Sequence, residues 1–157
     1  MAKQGYTIVT AAATGLTANT ARSVLGVQAN AAFGVDLRKF EIAFDGSSAA
    51  TPVLVELCSA TFGANPPGTN STSVTPQQVY GRTTASGVTA ASGWTTEPTV
   101  LTVLKSYLLT PNGGLLIEEF APDHGYDSPV SQGFVIRCTS TTGVTPNVRA
   151  TMEFERA

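Results

Sequence analysis

Asn147-Val148-Arg149-Ala150-Thr151-Met152-Glu153-Phe154-Glu155-Arg156 alternates between apolar and polar side chains. Val148, Ala150, Met152 and Phe154 share one parity; Arg149, Thr151, Glu153 and Glu155 share the other. Neighbouring strand residues point to opposite faces, so this run reads as a strand with one dry face and one wet face. Working outward, Gly133 to Thr139 repeats the pattern with Phe134, Ile136 and Cys138. The stretch 36–45 places Phe40, Ile42 and Phe44 inward and Lys39 and Glu41 outward, and 20–28 sets Ser23, Leu25 and Val27 on one side.

Two runs carry apolar residues on both parities. In 52–60, Val53, Val55 and Leu57 oppose Leu54, Glu56 and Cys58. In 99–109, Val100, Leu104 and Leu108 oppose Leu101, Val103 and Leu109. Such strands are expected to be covered on both sides, the second by core on one face and by a loop or neighbouring subunit on the other. Pro111-Asn112-Gly113-Gly114 predicts a hairpin turn into Leu115 to Phe120. Asp45-Gly46-Ser47-Ser48 and Thr141 to Asn147 are further turns.

The stretch 61–98 is less regular. Asn65-Pro66-Pro67-Gly68 breaks any element. Val74 to Tyr80 fits a strand or a single helical turn, with a strand favoured. Residues 81–93 hold mostly Gly, Ser, Thr and Ala, which predicts an extended loop; Trp94 then anchors that loop onto the body. A second irregular loop is expected at 121–131. Helical spacing never persists over two or three turns.

The fold class that follows is all-β: a two-sheet antiparallel β-sandwich of jelly-roll type with about eight core strands. An immunoglobulin-like sandwich is the alternative, but Cys58, Trp94 and Cys138 are spaced too widely for its signature. Residues 20–157 form the sandwich domain. Residues 1–19 read as an N-terminal arm in which Tyr6 to Thr10 offers a short edge strand. Its free backbone groups would pair with a neighbouring molecule by strand addition, so deleting 2–15 should abolish that contact and leave the sandwich intact.

Composition narrows the function. The chain has 157 residues, enough for one domain with a real core. Charged residues make up 13%, about half the usual share, and Thr, Ser, Ala and Gly replace them. Such a surface suits packing against other proteins, because little charge must be desolvated; a charge-poor soluble β-domain is the plainer alternative. Net charge is −2 and the basic residues are scattered, which argues against a nucleic-acid partner. No apolar run is long enough for a membrane helix, and Met1 to Tyr6 lacks a signal-peptide core, so synthesis in a cytoplasm is expected. Cys58 and Cys138 then read as reduced, buried thiols; a disulfide would need a short Cα separation.

Candidate chemistry is sparse. His124 lies in Pro122-Asp123-His124-Gly125-Tyr126-Asp127, and a base or metal reading would use Asp123 or Asp127. No activated serine accompanies it, because Ser128 and Ser131 lack the nucleophile-elbow motif, and one histidine falls short of a zinc set. Glu118 and Glu119 are adjacent and so point apart, while Glu153 and Glu155 share a face. A glycosidase pair would need a sugar cleft between its carboxylates. Tyr80, Trp94, Tyr107 and Tyr126 could stack on sugars, though they are spread along the chain. No catalytic residue, cofactor or metal is expected.

Trp94-Thr-Thr-Glu97-Pro98, Pro111-Asn-Gly-Gly114, Gly133-Phe-Val-Ile-Arg137 and Asn147 to Glu155, in that order, resemble small jelly-roll head proteins of tailed bacteriophages, similar to capsid decoration (cement) proteins. The resemblance covers about residues 20–157. It implies a non-enzymatic virion protein, often a homotrimer, bound to the major capsid protein on the outer shell. The long 81–93 loop and the lack of a recognisable anchoring segment beyond 1–19 depart from the pattern. Interaction residues expected on this reading are Tyr6, Ile8 and Val9 in the arm, Leu101, Val103 and Leu109 in the two-sided strand, and Trp94. Other classes stay open: a tail or head-fibre module binding host-surface carbohydrate, a self-assembling shell subunit, and an enzyme built around His124.

Overall fold

The computed structural model describes residues 4–45, 48–121 and 124–157. The middle of the turn read at 45–48, and Asp123 beside His124, lie outside the described residues. Thirteen strands are described: β1 (Gly5–Val9), β2 (Thr14–Gly15), β3 (Ala21–Gln28), β4 (Val35–Asp45), β5 (Val53–Ala60), β6 (Thr72–Ser73), β7 (Gln77–Tyr80), β8 (Thr89–Ser92), β9 (Leu101–Leu109), β10 (Leu115–Glu119), β11 (Tyr126–Ser128), β12 (Gly133–Thr139) and β13 (Asn147–Arg156). They form two packed antiparallel sheets. Sheet I runs β10-β4-β13-β1-β7, with β11 beside β4 and β2 beside β13. Sheet II runs β6-β8-β3-β12-β5-β9.

The eight strands of five or more residues are β1, β3, β4, β5, β9, β10, β12 and β13. Among these, first pairs with last, second with seventh, third with sixth and fourth with fifth. Such nested pairing describes an antiparallel ribbon folded over on itself.

The core lies between the sheets and follows the alternation read from the sequence. Val148, Ala150, Met152 and Phe154 of β13 are buried against Phe40 and Ile42 of β4, and Phe134, Ile136 and Cys138 of β12 face them from sheet II. On β3 the pattern shifts. The register slips opposite Ile136/Arg137, so Val24 joins Leu25 and Val27 in the core while Ser23 sits opposite Arg137. Two residues opposing one at a bulge reset which parity faces inward.

Four expectations are corrected. Residues 5–9 are no free arm, because β1 lies inside sheet I, hydrogen-bonded to β13 on one side and β7 on the other. Gly5 to Val9 are paired to β13 and Gly5 to Thr7 also to β7, and Tyr6 and Ile8 are core residues. Residues 89–92, read as loop, form β8 against β3; small side chains let Ala90 and Ala91 be buried without any apolar signal in the sequence. Strand β9 is not covered on both sides. It is the edge of sheet II, with Leu101, Leu104 and Leu109 partly buried and Val103 and Leu108 exposed. A register slip opposite Leu57/Cys58 puts apolar residues on both parities. Finally, Pro111 to Gly114 does not close a hairpin: β9 pairs with β5 and β10 with β4, so the turn arches from one sheet to the other.

Candidate interaction surfaces

The outer face of sheet II is roofed by its own chain. Trp94 is buried with Ala60, Phe62, Ala91 and Val135, and its indole Nε1 donates to the Asn65 carbonyl at 2.9 Å. Gly26 lets the ring come close, since a Cβ there would lie 3.0 Å from the Trp94 ring and crowd it. Glu97 locks the roof from the other end: its carboxylate accepts from the Ser23 backbone N–H at 2.6 Å and the Ser23 hydroxyl at 2.7 Å. Arg22 donates to the carbonyls of Trp94 and Gly15. Beside it is an open hollow of about 350 Å³ lined by Thr17, Thr20, Arg22, Thr95 and Glu97. Trp94 is thus the anchor the sequence predicts, and at 1% exposure it offers no surface to a partner or sugar.

The outer face of sheet I carries seven carboxylates, Asp36, Glu41, Asp45, Glu119, Asp127, Glu153 and Glu155, against three cations, Arg38, Lys39 and Arg149. Arg38 pairs with Asp36 and with Glu155, Lys39 with Glu41 at 2.5 Å, and Arg149 with Asp45 at 3.5 Å. The Tyr80 hydroxyl donates to Glu155 from above. Burial, followed by that bond to an anion, pushes the Tyr80 pKa up to about 12.

The two lateral sides of the sandwich differ. On one, β9 and β10 lie side by side, and Lys105 and Glu118 meet between the sheets as an ion pair. The Lys105 ammonium also stands 5.2 Å from the Phe120 ring centre, and its bond to Glu118 raises its pKa. On the same two strands Val103 and Leu108 point to the outer face of sheet II and Leu115 and Ile117 to the outer face of sheet I, four of the nine large apolar side chains exposed among the described residues. On the opposite side the chain crosses from β6 to β7. There Thr7, Val9, Ala11, Val74, Thr75 and Gln77 line a largely apolar groove of about 360 Å³.

The predicted interaction residues therefore separate. Tyr6, Ile8 and Trp94 are buried; Leu101 and Leu109 are half-buried; Val103 lies on the β9 side and Val9, 51% exposed, on the groove side. Sequence reading missed Leu108, Leu115 and Ile117 as exposed, because an apolar residue on an edge strand looks the same in sequence as one in the core.

The candidate chemical groups are scattered. His124 is exposed, with its backbone N–H donating to Ala121. Among the described residues no group of three His, Cys, Asp or Glu is placed to hold a metal, and no helix is long and apolar enough to cross a membrane. Cys58 and Cys138 are free and buried; burial pushes Cys58 up to about 11 and raises Cys138 further. Tyr80 is the one aromatic side chain with wide exposure among the described residues. The chain matches no family model, no curated protein and no solved structure.

Proposed function

We propose that this protein is a structural component of a virus particle: a capsid decoration, or cement, protein of a tailed bacteriophage. It binds the major capsid protein on the outer shell and has no enzymatic role. The observation that carries this reading is the outer face of sheet I. Around Thr151 that face stays open, with Val9, Arg149, Leu115 and Ile117 exposed, whereas Tyr80 closes it over Glu155 at one end and the chain covers sheet II with Trp94 and its surrounding loop. All three cations of that face are paired within the sheet, so it can meet a protein lattice without stranding an unpaired cation. The nested strand pairing supports the finer jelly-roll reading. A homotrimer made in the host cytoplasm is the expected form.

The test is binding to heads prepared without this protein, read by co-sedimentation and by electron cryo-microscopy. Thr151→Arg, near the centre of the open face, should abolish occupancy and leave the circular-dichroism spectrum unchanged. Heads that never acquire the wild-type protein would overturn the reading. Wild-type occupancy by the variant would move attachment to another face.

A further inference from the structure

Arg22 is the second residue of β3 and lies opposite the core residue Cys138, so its half-buried side chain turns inward between the sheets. Nε donates to the Trp94 carbonyl at 3.1 Å and Nη1 to the Gly15 carbonyl at 2.6 Å. These bonds fix the plane of the guanidinium and use two of its five N–H donors. Among the described residues it makes no ion pair, and Nη2 makes no hydrogen bond. Beside it opens a second hollow of about 180 Å³, lined by residues 11–15, Thr72, Ser92 and Gly93, with no carboxylate in its wall. Two buried hydroxyls stand in the same wall. That of Thr14 has no hydrogen-bond partner among the described residues, and that of Ser92 accepts from the Ala11 N–H at 3.3 Å and donates to none of them. Gly93, at φ 63°, lies between Thr14 and Arg22. A Cβ built on it would stand 3.4 Å from Thr14 Oγ1 and 4.0 Å from Arg22 Nη2, with nothing closer. The missing side chain thus leaves room for one atom that both donors can reach.

From this convergence we infer that the hollow binds a small oxyanion, a carboxylate or phosphate group, with one oxygen over Gly93 between Arg22 Nη2 and Thr14 Oγ1. Ser92 supplies a third donor from the wall. The planar fork of a guanidinium matches both groups, and its remaining N–H donors point where no protein acceptor answers them. An anion there gives the half-buried charge the counter-ion that two carbonyl dipoles do not supply. The hollow is open to solvent, so the group can be a free ion or the exposed end of a larger molecule. Because Arg22 also holds the carbonyls of Trp94 and Gly15, a bound anion braces the roof of sheet II against the segment around β2. The site stands on these residues alone, whether or not the protein coats a capsid.

Thermal melts of the full chain test it, with sodium phosphate or sodium acetate added and compared with sodium chloride at the same pH and ionic strength. A ligand that binds only the folded state raises Tm as its concentration passes the dissociation constant. At about 50 mM, at least one of the two anions should raise Tm by about 3 °C over chloride. Arg22→Lys keeps the charge and loses the fork; Thr14→Val keeps the shape and loses the hydroxyl. Each should raise the concentration needed about tenfold, the effect of one lost hydrogen bond to a charged group. Circular dichroism checks that both variants fold. Thr14→Val leaves both carbonyl bonds of Arg22 in place and decides the test should Arg22→Lys fail to fold. A rise with phosphate alone assigns a phosphate group, a rise with acetate alone a carboxylate, and a rise with both a site open to either. No rise over chloride with either anion would overturn the inference. So would an equal rise in the wild type and the variants, which is the general stabilisation that excluded salts give. The melts contain no capsid, so their result is separate from the fate of the decoration reading.

Discussion

A Cβ on residue 5 would sit 2.2 Å from the Tyr80 ring, so Gly5 exists to let that ring lie across β1 and reach Glu155. Gly5→Ala should displace the ring and break that hydrogen bond, visible as loss of the upward shift in the Tyr80 titration. The titration itself has a sign. Tyr80 holds its proton to about pH 12 in the fold and to about pH 10 when unfolded. Between those values the folded state binds the more protons, so stability is complete below about pH 10 and falls as pH rises toward 12. Cys58, raised to about 11, adds a decline that begins lower, near pH 9. Urea midpoints measured from about pH 8 to about pH 12 should therefore fall, and Tyr80→Phe should flatten the upper part of that fall. An unchanged slope in Tyr80→Phe would mean the phenol is not held as described. Trp94→Ala empties the roof and should cost about 3–5 kcal/mol, measured by equilibrium unfolding.

At the scale of elements, strand edges decide behaviour. A sandwich has four edges, and each is a template for unwanted pairing unless something blunts it. On the β6–β7 side the edge strands are short, two and four residues. On the other side β9 is nine residues long, and it is guarded by its register slip and by inward-pointing Lys105, with Glu118 opposite on β10. Lys105→Leu alone leaves Glu118 without its cation and, because the pair is partly open to solvent, should destabilise the fold by about 1 kcal/mol or less. The double substitution Lys105→Leu/Glu118→Leu restores an uncharged seam. It should recover much of that loss in thermal melts, while turbidity and thioflavin binding rise because both edges have become ordinary strand templates. A double variant that is stable and stays soluble would show that the pair does not guard these edges. Element β1 carries the opposite lesson about sequence. Tyr6-Thr-Ile-Val-Thr10 signals a strand clearly, but nothing local says whether its two sides are paired. Only the long-range pairing with β13 and β7 settles that, and it reverses the expected deletion phenotype: removing 2–15 takes out an interior strand and should abolish folding, read as loss of the β-sheet circular-dichroism signal.

Across the whole molecule, what was legible in the sequence was whatever alternation writes down. The dry faces of β4, β12 and β13, the all-β class and the long strands are there because a half-buried strand repeats every second residue. Bulges opposite Ile136/Arg137 and Leu57/Cys58 break that register, which is why simple alternation sets Ser23 on the side of Leu25 and Val27 and puts apolar residues on both parities of β9. The candidate surfaces were less legible still, since they depend on which strands end up at edges and which face receives a roof. The nested pairing has a kinetic consequence as well. Strand β1 finds its main partner in β13, at the far end of the sequence, so sheet I cannot close until nearly the whole chain is present. Non-local pairing of this kind places refolding in the range of about milliseconds to seconds. It also ties the roof to the body, because Trp94 rests on Gly26 and Val135 in the middle of sheet II and loses its cover when that sheet opens. Tryptophan fluorescence from this single residue and far-UV circular dichroism should then report one urea transition with the same midpoint. A fluorescence change that precedes the loss of sheet signal would show that the roof is a separate, weaker unit lifting off an intact sandwich, and would make the outer face of sheet II a second surface that a partner could reach.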